Sequence, residues 1–325
     1  MASVTNLHPD TPPDGGGLYL GPVPEHKRRS ALALLLIGRP REEDAAVDHF
    51  EQFADEQGLD LSTLWQASEG GPTGRILGTV LLVPNHGNTA MLFVGQATGW
   101  EDTAAVVELI RAVCDGPGKE GICVVQSLID PGQVVEGEVL QRAGLTRLAK
   151  LIYMQRTIEP GEHRVARPTA LGGCDEPRII TYSEQTHGDF ARAIESSYVE
   201  TLDCPGLVGM RQTDEIIAGH KGTGRFDPGS WLAYFDKNDD PIAVLLLAPV
   251  AQGSGHELVY LGVSQDYRGK GIGKRLMRYA VSEAARQGGS RMYLAVDDRN
   301  DPAVRLYTSL GFRASTRKIA YVMPR

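Results

Sequence analysis

The sequence has little that would suit an oxidising or membrane setting. Its four cysteines, Cys114, Cys123, Cys174 and Cys204, are scattered without a Cys-x-x-Cys pair. That argues against a disulfide frame and fits thiols kept reduced. The longest apolar run, Ala31–Ile37, is far too short to span a membrane. The opening MASVTNLHPDTPPDGGG has no basic stretch followed by an apolar core, so no signal peptide and a cytoplasmic location are expected. Positive charge is not in excess: the net charge is −8. Nucleic acid is therefore not expected as the main partner, whereas cationic metabolites such as amines would be drawn in weakly. Two phosphate-binding fingerprints are also missing. No G-x-x-x-x-G-K-S/T run occurs, since Lys274 is followed by Arg275, and no G-x-G-x-x-G follows a strand.

What is present is a soluble-type chain of 325 residues, 42% apolar and 23% charged, long enough for about two domains. Residues 1–25, rich in Pro, Gly and Asp, read as a tail. Hydrophobic periodicity then predicts a strand at Arg29–Ile37, a helix at Glu42–Gln57 and strands at Leu61–Gln66, Arg75–Val83 and Thr89–Gln96. A helix at Thr103–Val113, a strand at Ile122–Ser127, a helix at Val134–Arg142 and a strand at Leu148–Arg156 complete a first domain over residues 26–159. Residues 160–177 have no periodicity and read as a linker. Residues 178–325 repeat the order of strands and helices. The ends correspond in detail: Leu140-Gln141-Arg142-Ala143-Gly144-Leu145 parallels Tyr307-Thr308-Ser309-Leu310-Gly311-Phe312, each a helix stopped by glycine and fastened by an apolar residue. The implied fold class is α/β (α+β), built as two copies of one domain.

The second copy is organised around Leu258–Arg278. An apolar strand turns at Ser264–Tyr267 into Arg268-Gly269-Lys270-Gly271-Ile272-Gly273 and then into an amphipathic helix. Free backbone N–H groups at a helix start make an anion cradle, and glycine lets the backbone approach the anion closely. Arg268, Lys270, Lys274 and Arg275 crowd that start. Cations are disfavoured there, so a multivalent anion is expected among them.

The run after a strand and before a helix resembles the pyrophosphate loop, Q/R-x-x-G-x-G/A, of the GCN5-related N-acetyltransferases (GNAT), with Arg268, Gly271 and Gly273 at its fixed positions. Asn300, Ala303, Leu306, Tyr307, Gly311 and Phe312 resemble the same family's closing motif, N-x-x-A-x-x-L-Y-x-x-x-G-F. The resemblance implies tandem GNAT-like domains, each with a mixed, mostly antiparallel central sheet flanked by helices. It implies acetyl-CoA as acyl donor, held by Leu261, Gly262, Val263, Arg268, Gly269, Lys270, Gly271, Ile272, Gly273, Lys274, Asn300 and Tyr307, and no metal. It assigns Tyr307 as general acid to the leaving thiolate, the alternative being a core aromatic. It assigns Glu257 as general base, the alternative being an exposed strand-end carboxylate. In strand alternation Glu257, Val259, Leu261 and Val263 share one face, with His256 and Tyr260 on the other. The resemblance also implies that the strand ending in Leu261-Gly262-Val263 splays from its neighbour, leaving the Val263 N–H to polarise the thioester carbonyl.

A small-molecule amine is the expected acceptor, and Glu200 and Asp203 are candidates to hold its charge. Peptide or lysine acetylation, and a non-catalytic acyl-CoA sensor, stay open. In the first copy the corresponding helix start reads Thr98-Gly99-Trp100-Glu101-Asp102, whose acids would repel phosphate, and Leu140 stands where the second copy has Tyr307. That copy is expected not to catalyse.

Overall fold

The computed structural model describes residues 17–39, 44–117, 121–174 and 176–325. Among them the first repeat runs β1 (Leu18–Pro22), α1 (Arg28–Ile37), α2 (Ala45–Gln57), β2 (Leu64–Glu69), β3 (Arg75–Asn85), β4 (Thr89–Val94), α3 (Thr103–Asp115), β5 (Val124–Ile129), α4 (Val134–Ala143) and β6 (Thr146–Thr157). The second runs β7 (Arg178–Thr181), α5 (His187–Tyr198), α6 (Thr213–Lys221), β8 (Trp231–Phe235), β9 (Pro241–Pro249), β10 (Gly255–Val263), α7 (Ile272–Arg286), β11 (Arg291–Asp297), α8 (Asp301–Ser309) and β12 (Arg313–Pro324). The two orders match element for element.

Two corrections to the sequence reading produce that match. Arg29–Ile37, expected as a strand, lies in helix α1, which ends on left-handed Gly38 with its N–H bonded to the Leu34 carbonyl. Ala31, Leu32, Ala33, Leu34 and Leu35 are all buried. A helix covered on every side carries no polar stripe, so its period is invisible, and its Ala and Leu content favours helix. Leu18–Pro22, read as tail, is a strand paired antiparallel with β2. The rest of that tail, residues 1–16, lies outside the described residues.

Two compact units emerge, and they are not contiguous in sequence. The first comprises residues 1–83, 92–119 and 133–144. Its strands β1, β2 and β3 pair antiparallel, and Leu32, Val47, Leu64 and Leu81 meet in its core. The second comprises residues 84–91, 120–132 and 145–325. Its strands lie in the order β5-β12-β6-β11-β10-β9-β8-β7. All these pairs are antiparallel except β10 with β11. One face carries α7 and α8 over Leu245, Leu258, Leu276 and Met292, and the other carries α5 and α6 over Val244, Leu246, Phe190 and Ile217.

Within this second unit the final strands are exchanged. The last strand of the first repeat, β6, lies between β11 and β12, and β12 lies between β5 and β6. Residues 160–174 are strapped along α7 rather than hanging free. Val165 N–H donates to Ser282, Arg286 donates to the carbonyls of His163 and Val165, and Arg275 donates to that of Ala170.

Candidate active site

Strand β10 keeps its ladder with β9 as far as Val263 but pairs with β11 only at Gly255–Arg291, His256–Met292 and Glu257–Tyr293. The expected splay is therefore present, and Glu257 sits at its apex. Ser264 N–H donates back to Ile242, so by alternation the N–H groups of Val263 and Leu261 face the gap side.

The facial pattern needs correction. The β9–β10 register slips between Leu258 and Tyr260, so Val259 forms a bulge. Leu258, Leu261 and Val263 pack on the α7 side, while Val259 and Tyr260 pack on the α5 side. Glu257, which alternates with Leu258, thus shares its face with Val259 and Tyr260, not with Leu261 and Val263. Gly262 serves this face too: a Cβ there would lie 2.4 Å from Ser197 Oγ, so the glycine admits α5 to the strand.

Burial alone raises the proton affinity of the Glu257 carboxyl above the ordinary carboxylate range. Tyr153, from exchanged strand β6, feels it: burial and then the Glu257 charge raise the Tyr153 phenol. Sequence reasoning missed Tyr153, because only the strand exchange brings it here. Beyond the bulge, the Tyr198 and Tyr260 rings meet edge to face at 5.7 Å, and His220 stacks on Tyr260 at 5.4 Å. These rings form an aromatic row on the Glu257 face.

At the open end of the gap, Gly269 and Gly271 both adopt φ +74°, a conformation that favours glycine. A Cβ on either would meet nothing within 4 Å, so the space above the turn is open. No side chain caps α7 at Gly271, which leaves the first-turn N–H groups of Ile272, Gly273 and Lys274 free of side-chain acceptors. Gly273 lets α7 approach Leu306 of α8, with 3.2 Å to a notional Cβ. The turn fits a phosphate-bearing donor.

The cations are arranged differently from expectation. Arg268 donates to the carbonyls of Val263, Ser197, Val199 and Glu200, clamping the end of α5, where cations are favoured. Its guanidinium is a backbone clamp and gives no argument for an anion. Arg275 is spent on Ala170, and Lys270 lies 4.8 Å over the Tyr267 ring. Lys274 makes no ion pair among the described residues and is the cation best placed to meet an anion by its side chain.

Tyr307, on α8, is buried against Phe312. Burial first, and then the Asp203 carboxylate, push its hydroxyl well above the ordinary phenol range, so it stays protonated at neutral pH. Asp203 accepts the Asp297 N–H at 3.0 Å and a bond from the Asn300 side chain, while Cys204 N–H donates to Asp297 at 3.2 Å. Glu200 accepts from Gln265 at 2.6 Å. Both acceptor-side carboxylates proposed from sequence thus latch this loop as well as facing solvent.

Asn300, expected to touch the donor, caps α8 through the Ala303 N–H and binds Asp203. Asp297 is wholly buried; burial is the largest single influence and raises its pKa, but Arg299 and the Cys204 N–H together hold it below the usual range. The latched loop carries positive φ at Glu200 and Cys204, non-glycine strain of the kind found at working sites. Burial, with Asp203 and Asp297, pushes the Cys204 thiol up to about 12, which removes it as a nucleophile.

Residues 195–312 match the model of the Acetyltransferase (GNAT) family. The second repeat thus carries a GNAT acetyltransferase segment over those residues. The layout of the chain is that of tandem members. A mycothiol acetyltransferase of Kocuria rhizophila is 24% identical over 297 residues, covering 83% of this chain and 89% of that protein. One from Corynebacterium aurimucosum is 38% identical over 156 residues, covering 45% of this chain and 50% of that protein. The [Ribosomal protein bS18]-alanine N-acetyltransferase of Escherichia coli is 25% identical over 126 residues, covering 38% of this chain and 84% of that protein. A crystal structure of a GCN5-related N-acetyltransferase from Sphaerobacter thermophilus shares the fold, with a TM-score of 0.57 at 15% identity over 94% of this chain and 95% of that one. The chain is an N-acetyltransferase. Among the described residues no helix is long and apolar enough to cross a membrane, and no group of three or more His, Cys, Asp or Glu is placed to hold a metal.

Proposed function

We propose that the second repeat transfers an acetyl group from acetyl-CoA directly to a small-molecule amine, with Glu257 as general base and Tyr307 as general acid. The observation that carries this is the parting of β10 from β11 immediately after Glu257. It leaves a carboxylate of raised proton affinity at the apex of a gap whose mouth holds an uncapped, glycine-lined helix start. The amine's lone pair forms the new C–N bond as the C–S bond breaks. One proton passes from the amine to Glu257, directly or through water, and the leaving sulfur takes one from Tyr307.

The diphosphate of the donor is assigned to the backbone of Gly269–Lys274, with Leu261, Gly262 and Val263 along its arm. A small acceptor is favoured by the mycothiol acetyltransferase relative, which matches 83% of the chain, over the peptide acetyltransferase, which matches 38%. The first repeat is proposed not to bind the donor, because Asp102 accepts the Ala104 and Ala105 N–H groups at the equivalent helix start. The test is thiol release from acetyl-CoA on adding amines, with mass spectrometry of products. Turnover with peptides alone would replace the small acceptor, and donor binding without any turnover would make the protein a sensor.

A further inference from the structure

A second cavity, outside the gap between β10 and β11, has a composition that calls for an anion. Its volume is about 270 Å³, and Arg211, His220, His86, Gln126, Thr89 and Asn85 are among its lining. Arg211 is half-buried and makes no ion pair among the described residues; its one hydrogen bond is a long 3.5 Å contact to the Gly87 carbonyl. Glu215 acts on it through space but forms no ion pair with it, being occupied by the Gln212 N–H at 2.9 Å, the Asn88 amide at 2.7 Å and the Cys123 thiol at 3.3 Å. Burial of the guanidinium outweighs that distant charge and lowers its proton affinity.

The wall beside it repeats the theme. His220 Nε2 is closed off from solvent with no partner among the described residues. Burial, then the Arg211 charge, pulls that imidazole down to about 4, so it is neutral at pH 7 and does not compete for an anion. Arg211 is thus left as the cationic group of a polar chamber, with five N–H donors in a rigid fork.

Position links the chamber to the chemistry. The His220 ring that lines it stacks on Tyr260, and the bulge at Val259 turns Tyr260 onto the face of Glu257. Two stacked rings, His220 and Tyr260, therefore stand between the chamber and the strand segment that bears the base. We infer that this cavity receives an anionic group, carboxylate or phosphate, carried by the amine acceptor itself. The acceptor class is then an amine with a second, negatively charged end. The inference rests on the acetyltransferase reading above for the word acceptor, and on the cavity alone for the anion.

The experiment uses the full chain and two probe pairs. One is an amino acid against its carboxamide, and the other is O-phosphoethanolamine against ethanolamine, each pair differing in one anionic group. The charged member is expected to have the higher kcat/KM by about 10- to 100-fold, as charge-assisted binding gives. The pair that shows the preference tells carboxylate from phosphate. Arg211→Gln is expected to bring the ratio toward one, and Arg211→Lys to restore part of it. No preference in either pair, or a preference unchanged in Arg211→Gln, overturns the proposal.

Calorimetric titration with inorganic phosphate and with acetate, without any acyl donor, provides a readout independent of turnover. Binding lost in Arg211→Gln but kept in a folded Arg211→Lys supports the anion site even if no amine is acetylated, which would sink the enzymatic reading alone. Phosphate binding with no preference between paired acceptors overturns the acceptor assignment.

Discussion

The two repeats carry the same elements in the same order, yet their third helices begin in opposite ways. In the first, Asp102 folds back and fills the start of α3 with its own carboxylate, and Glu101 beside it pairs with Arg75. In the second, Gly271 offers no side chain, and the start of α7 is left open under two positive-φ glycines. A helix start has one set of unpaired N–H groups, and an internal acid and an external phosphate compete for it. On the function proposed above, which repeat handles a phosphate-bearing substrate turns on a single capping position, with the fold held constant.

The sharpest break in that comparison lies at Tyr307, whose counterpart is the fully buried Leu140. Tyr307→Phe is expected to lower kcat by about 100-fold or more, with little change in KM for acetyl-CoA. Steady-state kinetics decide it, and an unaltered kcat removes the acid role. Next comes Glu257→Gln, for which kcat/KM should fall by at least about tenfold and the acidic limb of the pH profile should vanish.

The sign of its stability effect is also fixed. The folded-state pKa of Glu257 is raised, so the native state holds this proton more tightly than the unfolded chain. Its contribution is favourable at low pH and is lost as pH rises through the folded value. Glu257→Gln should accordingly raise Tm at pH 7 and not near pH 4, as melting curves at the two pH values will read.

Smaller effects separate the two helix starts. Gly271→Val places a β-branched residue at φ +74° under the donor and should raise KM for acetyl-CoA by about tenfold. Equal donor affinity would move the phosphate elsewhere. Asp102→Ala removes a cap from the first repeat and should cost about 1 kcal/mol in denaturant unfolding, with KM for acetyl-CoA unchanged. A shift in KM there would give the first repeat a part in donor binding.

Patterns confined to a few neighbouring residues were legible in the sequence. The glycine turn, the helix after it and the closing Leu306-Tyr307 to Phe312 segment all stand where their spacing placed them, because turn and cap chemistry is local. What was hidden depended on distant partners. Helix α1 showed no polar face because Ala31 to Leu35, more than a full turn, are all buried. The bulge at Val259 inverted the facing of Leu261 and Val263, and a register slip has no marker in an unbroken apolar run. Arg268 read as a phosphate ligand because its carbonyl partners on α5 lie some seventy residues earlier in the chain. Tyr153 and Arg211 gave no signal at all, since the first reaches Glu257 only through β6 and the second stands out only by the ion pair it lacks.

The interleaving of β6 and β12 forbids treating the repeats as separable parts. Expressed without residues 1–177, the remainder would present β11 as a raw edge and β12 without either flanking strand. The first repeat is therefore not dispensable ballast: its β6 is a staple in the sheet on which Glu257 stands, and cutting it away would unravel that sheet.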